Sequence, residues 1–350
     1  MASVHYYNGT VVEVAQIQGS PEYLELMKRL ADDHPSQFNR TKRSLYDTIL
    51  SRFSLSDTTS WGTWWRWLKK KLAYPGKAYG DVEIVSELLQ ELKDSTEKEI
   101  SQPLDRVAVT TPDISSISSI VNAALEDLNL RTWVGDSRFY PQRLVEADAV
   151  YAANGYGLCV NYQDLWECTD EFDNSPDAHV FTIFYSRHLL YTSIIAPIYG
   201  EALSRFNWDE AQLLDFEVGL DHLLQINGSN SALQSRLRSQ LLVLPREYRY
   251  SLTHILLAGE SVTHPDFLAI LRDALAEMMP ISPVKHQTNI PVHVNPAIVS
   301  KINPTFAASR GAALYARRRQ EVQGDCTEPS ECEAIRKKER ESLSLKGDLR

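Results

Sequence analysis

The chain carries the stretch Ile255-Leu256-Leu257-Ala258-Gly259-Glu260-Ser261 in its last third. Four apolar residues in a row predict a short buried strand, and Gly259 predicts the turn that follows it. A helix pattern then begins at Pro265, with apolar residues at Phe267, Ile270, Leu271, Ala274 and Met278. A strand, a glycine turn and a helix in this order are typical of α/β proteins. The start of such a helix offers free N–H groups to an anion or a nucleoside.

The same alternation extends toward the N-terminus. The run from Val107 to Thr111 predicts a strand that Pro112 ends, and a helix pattern follows it from Ile117 to Leu128. Two apolar strands are predicted between Val180 and Ile195, around a tight turn at Ser186-Arg187-His188. Further helices are predicted from Pro21, from about Asp81, from about Trp208 to Leu224, from Ser231 to Leu242 and from Ala312 to Arg319. An N-terminal hairpin turns at Asn8-Gly9. The sequence therefore predicts the α/β class.

Composition limits the function classes. The chain has 350 residues, of which 43% are hydrophobic and 23% charged, so it is long enough for two ordinary domains. Its formal net charge is -10, which argues against a nucleic-acid binder because phosphate contacts need a basic face. It contains no apolar run of membrane-spanning length, and its first residues lack the features of a signal peptide. The default prediction is therefore a cytoplasmic protein without a transmembrane span.

The four cysteines qualify that default. They form two close pairs, Cys159 with Cys168 and Cys326 with Cys332. Neither pair has Cys-x-x-Cys spacing and no histidine lies at a zinc-finger distance, so no metal site is predicted. Two local disulfides are expected if the chain passes through a secretory compartment, and four reduced thiols if it stays in the cytosol. A run of acidic residues is interpreted as a solvated helix face rather than as a metal site: Asp209, Glu210, Asp215, Glu217 and Asp221.

Four segments, taken in order, carry a family resemblance. They are Val107 to Pro112, Glu146 to Leu158, Ile255 to Ser261, and Asn303 to Ala316. Their order and spacing resemble the nucleotide-binding domain of the heat-shock protein 70 chaperones, in the actin-like ATPase superfamily. In particular, the chain resembles divergent fungal members with a closing Cys-x5-Cys, here Cys326 to Cys332. The resemblance spans roughly Val4 to Cys332 and implies a two-lobed actin-like ATPase fold, which is ribonuclease H-like.

The resemblance also implies a division of the chain. Lobe I is expected at residues 1–174, trimmed at its N-terminus and carrying a tryptophan-rich insert at about 57–75. Lobe II is expected at 175–316, and a charged tail at 317–350. The segments 146–158 and 304–316 match the two helices that cross between the lobes. Close packing there explains their small residues, namely Ala152, Ala153, Gly155, Gly311, Ala312 and Ala313.

The nucleotide site of the family is only partly represented. Gly259, Glu260 and Ser261 stand at the adenosine-motif positions, where Glu260 replaces a second glycine. The first phosphate loop, an Asp-x-Gly-Thr hairpin, has no counterpart, because Val4 to Val14 matches the strand after it. The second loop is Asp-x-Gly-Gly-Gly-Thr in the family, whereas the segment from Phe184 to Leu189 has no acidic residue and no glycine. ATP hydrolysis needs acidic groups for Mg²⁺ and backbone amides for phosphate. These degenerate phosphate loops predict a non-hydrolysing protein, for which ATP or ADP is the ligand to test.

Two function classes follow from this site. The leading one is a binding or interaction module for a protein or a small-molecule ligand. The alternative is an enzyme that reuses the interlobe cleft for a small organic substrate, for example in a fungal biosynthetic pathway. Arg187 and His188 are its candidate catalytic residues, because they could bind an anion or act as an acid–base pair. The competing interpretation is an exposed hairpin tip that changed after the ATPase activity was lost.

A tryptophan-rich stretch supplies the other candidate residues. As a helix, it would place Trp61, Trp64 and Trp65 on one face, while Arg66 and the following lysines fall elsewhere. Such a basic amphipathic helix suits a membrane surface, a partner groove or an apolar ligand. It is equally consistent with an insert whose tryptophans pack against the lobe.

Overall fold

The computed structural model describes residues 1–32, 78–114, 116–134, 143–162, 165–175, 178–197, 202–203, 208–224, 231–248, 252–278 and 302–321. These residues form helices and strands that alternate along the chain, so the predicted α/β class is confirmed. The candidate residues Trp61, Trp64 and Trp65 lie outside the described residues. So does the pair Cys326 and Cys332.

The N-terminal part of the chain combines a hairpin, short strand pairs and helices. Its strands are β1 (Ala2–His5), β2 (Val11–Ala15), β3 (Arg106–Val107), β4 (Thr110–Thr111), β5 (Arg131–Thr132) and β6 (Leu144–Val145). Its helices are α1 (Pro21–Asp32), α2 (Ala78–Ile100), α3 (Ile117–Asp127), α4 (Glu146–Ala153) and α5 (Leu165–Asp173). β1 pairs antiparallel with β2, while β3 with β5 and β4 with β6 are parallel pairs. The predicted strand from Val107 to Thr111 is therefore two short pieces.

Helix α1 shows how local sequence and core burial act together. The Ser20 hydroxyl accepts a hydrogen bond from the Tyr23 N–H at 3.2 Å, which caps the helix start before Pro21. The same helix buries Leu26 and Leu30 against α2 and α3. This cluster is the core of the N-terminal part.

The C-terminal part is built around a four-stranded sheet. Its strands are β7 (Val180–Tyr185), β8 (Leu190–Ala196), β9 (Trp208–Asp215) and β10 (His254–Ala258). Its helices are α6 (Leu220–Leu224), α7 (Ser231–Tyr248), α8 (Pro265–Met278) and α9 (Ala307–Glu321), with a 3₁₀ turn at Pro304–Phe306. The strand order is β10-β7-β8-β9, in which β10 is parallel to β7 and the other pairs are antiparallel.

The two faces of this sheet belong to different cores. Phe181 and Ile183 lie in one cluster with residues of α7 and α8, such as Leu241 and Phe267. Val180 lies in the other, together with Val150 of α4 and Ala307 of α9. The sheet is therefore covered on both faces, as its almost unbroken apolar strands require.

The predicted helix from Trp208 to Leu224 is wrong over its first half. Residues 208–215 form β9, which pairs with β8 along the edge of the sheet. Leu213 packs into one core and Leu214 into another, so neighbouring side chains point to opposite faces as in a strand. Backbone pairing with β8 thus overrides the helix pattern. The acidic run is not a solvated helix face either, since Asp215 is only 7% exposed and lies 3.0 Å from the Arg236 guanidinium.

The predicted close packing of two small-residue helices is confirmed for α4 and α9. A Cβ atom at Gly311 would overlap the carbonyl group of Ala149, so only glycine fits at this crossing. Gly155 was assigned the same role, and that assignment is wrong. A Cβ there would meet no described atom within 4 Å, but its φ is +83°. The Tyr156 N–H donates to the Tyr151 carbonyl at 3.3 Å, so Gly155 ends α4 in a left-handed cap.

Candidate functional site

Two segments singled out from the sequence meet in the structure. The turn at residues 259–261 follows β10, and the hairpin tip at residues 186–189 joins β7 to β8. The Ser261 N–H donates to the Tyr185 carbonyl oxygen at 3.1 Å. Gly259 has a φ of +99°, and a Cβ atom there would overlap the same carbonyl. The glycine is therefore required by the close approach of the two strand ends.

Ser186 shapes the hairpin tip. Its hydroxyl accepts hydrogen bonds from the N–H groups of His188 at 3.2 Å and Leu189 at 3.1 Å. Its own N–H donates to the Leu189 carbonyl at 3.0 Å. Such a serine turn closes a tight loop without glycine. The tip is thus a hydrogen-bonded turn that lacks the row of glycines a phosphate loop uses.

A third segment completes the site, and the sequence analysis missed it. The Asp221 N–H at the start of α6 donates to the Arg187 carbonyl at 2.9 Å. A Cβ atom at Gly219 would overlap the His188 backbone, so this turn also depends on glycine. The signal available in the sequence was Gly219 itself, but the incorrect helix prediction for 208–224 placed it inside a helix.

Charged side chains converge on the tip. The Arg187 N–H donates to Glu260 Oε1 at 2.9 Å, and the Arg187 Nε donates to Asp221 Oδ1 at 2.9 Å. His188 Nδ1 lies 3.5 Å from Asp221 Oδ2. The side chains of Arg187 and His188 are 53% and 37% exposed, so these ion pairs contribute little to stability. Their consequence is local. The backbone N–H of Arg187 already has Glu260 as its partner, and the guanidinium of Arg187 already has Asp221.

Glu146 is a further charged residue that the sequence analysis did not single out. It opens α4, where a carboxylate is favoured by the helix dipole. Burial nevertheless raises its pKa to about 7, and the attraction of the Met1 amino group lowers it only in part. The same amino group is attracted by Glu260, although burial lowers the pKa of the amine. Glu146 and Glu260 therefore both act electrostatically on the Met1 amino group.

The cysteine pair within the described residues is bonded. Cys159 and Cys168 form a disulfide across a sequence separation of 9. It joins the loop after α4 to helix α5. Among the described residues, no group of three or more histidine, cysteine, aspartate or glutamate side chains could hold a metal ion.

No protein-family model matches the chain, and no curated protein matches it. Within the described ranges, no helix is both long enough and apolar enough to cross a membrane. Any functional assignment therefore rests on the geometry of the described residues.

Proposed function

We propose that this protein is a non-hydrolysing relative of the actin-like ATPases that serves as a binding or interaction module. The observation that carries the proposal is the hydrogen bond from the Arg187 N–H to the Glu260 carboxylate at 2.9 Å. In the family that the sequence resembles, the turn at this place binds phosphate through backbone amides. Here one backbone amide of that turn, the Arg187 N–H, already donates to the Glu260 carboxylate of the same chain.

The strand order supports the fold that this proposal needs. An antiparallel run of β7, β8 and β9 is followed by β10, which returns parallel beside β7. A lobe of the ribonuclease H-like fold has this arrangement. The close crossing of α4 and α9 at Gly311 fits helices that connect two lobes. We therefore propose the lobe boundaries 1–174 and 175–316.

The carboxylates of Glu260 and Asp221 at the hairpin tip support the proposed loss of nucleotide hydrolysis. A phosphate group at the tip would have to displace Glu260 from the Arg187 N–H while remaining near Asp221. Two unit charges 4 Å apart repel by about 4 kcal/mol at an effective dielectric constant of 20. The Arg187 side chain cannot offset this repulsion fully, because it already pairs with Asp221. The site thus disfavours the substrate that an ATPase must bind.

Thermal unfolding in the presence of millimolar Mg-ATP or Mg-ADP tests the proposal. We expect no shift for the wild type, whereas a ligand at a hundred times its Kd would add about 2.7 kcal/mol. Glu260→Ala removes the competing carboxylate and should bind inorganic phosphate or nucleotide more tightly than the wild type does. Glu217→Ala is the matched control, because that carboxylate is 72% exposed and pairs only loosely with Arg236. A wild-type shift as large as that of Glu260→Ala would contradict the proposal, because Glu260 would then not compete with phosphate for the Arg187 N–H.

The second candidate is an enzyme that uses the proposed interlobe cleft at the hairpin tip, and one contact favours it. Asp221 Oδ2 lies 3.5 Å from His188 Nδ1, and a carboxylate on that nitrogen can orient an imidazole for proton transfer through the other. The test is to incubate the wild type and His188→Ala with a small-molecule extract of a fungus. Mass spectrometry would support an enzyme if a compound is consumed only by the wild type.

A further inference from the structure

A cavity lies at the far end of β10 from the Gly259 turn. Its volume is about 330 Å³, within the range of small-molecule sites. The residues that matter for its chemistry are Tyr151, Tyr156, Glu171, Phe172, Thr253 and His254. They come from the end of α4, from α5 and from the start of β10. The cavity is therefore separate from the hairpin tip and independent of the proposed function.

One wall of the cavity consists of aromatic rings. Tyr151 and Tyr156 stack with their centroids 5.5 Å apart and their planes 15° apart. The His254 ring meets Tyr156 edge to face at 4.5 Å. Thr253 Oγ1 lies 2.8 Å from His254 Nδ1, which fixes the imidazole orientation. Phe172 adds a third aromatic side chain to the lining. Because aromatic rings gain from stacked or edge-to-face contacts, this lining favours a flat aromatic ligand over an aliphatic one of equal size.

Glu171 adds a carboxylate to the lining of the cavity. Glu171 Oε2 accepts a hydrogen bond from the Val160 N–H at 2.8 Å, so the carboxylate is held beside the cavity. This carboxylate would repel a negatively charged ligand, because like charges repel more strongly where water is partly excluded. The ligand that fits is therefore planar, aromatic and without negative charge.

The disulfide joins two segments that line the cavity. Cys159 directly follows the lining residue Leu158, and Cys168 lies three residues before Glu171 on the same helix. Residues three apart on a helix share a face, so the bond ties the loop to the side of α5 that lines the cavity. The loop is also held from α9, because Arg318 Nη2 donates to the Cys159 carbonyl at 3.1 Å.

We propose that this cavity binds an uncharged planar aromatic molecule of one or two rings, and that the Cys159–Cys168 disulfide holds it in the binding conformation. Reduction breaks the S–S bond and forms two thiols. The two electrons and two protons come from a dithiol such as dithiothreitol, which leaves as a cyclic disulfide. Release of the loop from α5 then weakens binding.

Titration calorimetry tests whether the cavity binds aromatic molecules, with indole as the aromatic probe and cyclohexanol as the non-aromatic one. Indole should bind the oxidised protein, and cyclohexanol at least threefold more weakly. Ser175→Trp places a large ring at the exposed edge of the cavity and should abolish indole binding. Leu224→Trp, at a position 54% exposed, is the matched control and should not. Tyr156→Leu should weaken binding at least threefold. No indole binding, or binding unaffected by Ser175→Trp and Tyr156→Leu, would overturn the proposal.

To test the role of the Cys159–Cys168 disulfide, indole affinity is compared between the oxidised and the reduced protein. Indole affinity should fall at least fivefold in dithiothreitol, and the Cys159→Ser, Cys168→Ser double variant should match the reduced protein without reductant. The double variant also separates this disulfide from the pair Cys326 and Cys332, which it leaves intact. Equal indole affinity in the oxidised protein and in the double variant would overturn the role of the disulfide.

Discussion

Replacement of Gly311 by alanine adds one methyl group at the crossing of α4 and α9. That methyl would overlap the carbonyl group of Ala149, which is backbone and has no rotamer to adopt. Ala149 itself is fully buried, so the contact cannot be relieved toward solvent. The two helices would have to move apart, and their small neighbours would lose contact.

The net effect follows from two opposing contributions. Alanine in place of glycine inside a helix stabilises by about 1 kcal/mol, because it reduces the entropy of the unfolded chain. Overpacking a filled core costs about 1–3 kcal/mol, and overlap with backbone on a partner helix belongs at the upper end. We therefore expect Gly311→Ala to lower the free energy of unfolding by about 2 kcal/mol, which is about a thirty-fold change in the folded-to-unfolded ratio.

Urea unfolding followed by circular dichroism measures the change. Gly80→Ala is the control, because Gly80 also lies in a helix and a Cβ there would meet no described atom within 4 Å. It should leave stability unchanged or raise it by up to about 1 kcal/mol. If Gly311→Ala proved as stable as Gly80→Ala, the close crossing of α4 and α9 would be refuted.

Three further variants probe other features. The Cys159→Ser, Cys168→Ser variant opens a loop with a sequence separation of 9 and should lower the free energy of unfolding by about 2.7 kcal/mol; an unchanged urea midpoint would argue against this. Tyr185→Phe should not destabilise, because the buried hydroxyl has no hydrogen-bond partner among the described residues and the stack on Phe267 at 4.1 Å remains; a loss above about 1 kcal/mol would count against it. Burial raises the pKa of Glu146 from 4.5 to about 7, so the folded chain holds a proton in that window that the unfolded chain releases. Stability should therefore fall as pH rises from 4.5 to about 7, and equal pH slopes for wild type and Glu146→Gln in urea titrations would contradict this assignment.

The elements that could be predicted are those whose signal is local. The apolar runs of β7, β8 and β10 predict buried strands because no other short element places that many consecutive apolar residues inside. Helix α1 begins where Ser20 and Pro21 predict it. β9 could not be predicted in this way, because its state depends on pairing with β8, which is close in space and not signalled by residues 208–215.

Some residues of the candidate site could likewise be predicted from the sequence, whereas the contacts between them could not. Gly259 and the tip residues Arg187 and His188 could be selected from the chain order of the motifs. The partnership of Arg187 with Asp221 could not, because it depends on how α6 leaves the end of β9. The hydrogen bond that Glu260 accepts could not be predicted either, because its donor is distant in sequence. The sequence position of Glu260 predicts negative charge near the site, and only the fold brings that charge to the Arg187 N–H.

Phosphate release from ATP tests the central claim most directly. The assay is a single-turnover reaction with Mg²⁺ and protein in excess over labelled ATP, run for the wild type and for Asp221→Asn. Because residues 184–189 supply neither an acidic group for Mg²⁺ nor a glycine loop for phosphate, both proteins should release phosphate no faster than buffer. Release by the wild type above the buffer rate, reduced in Asp221→Asn, would contradict the account.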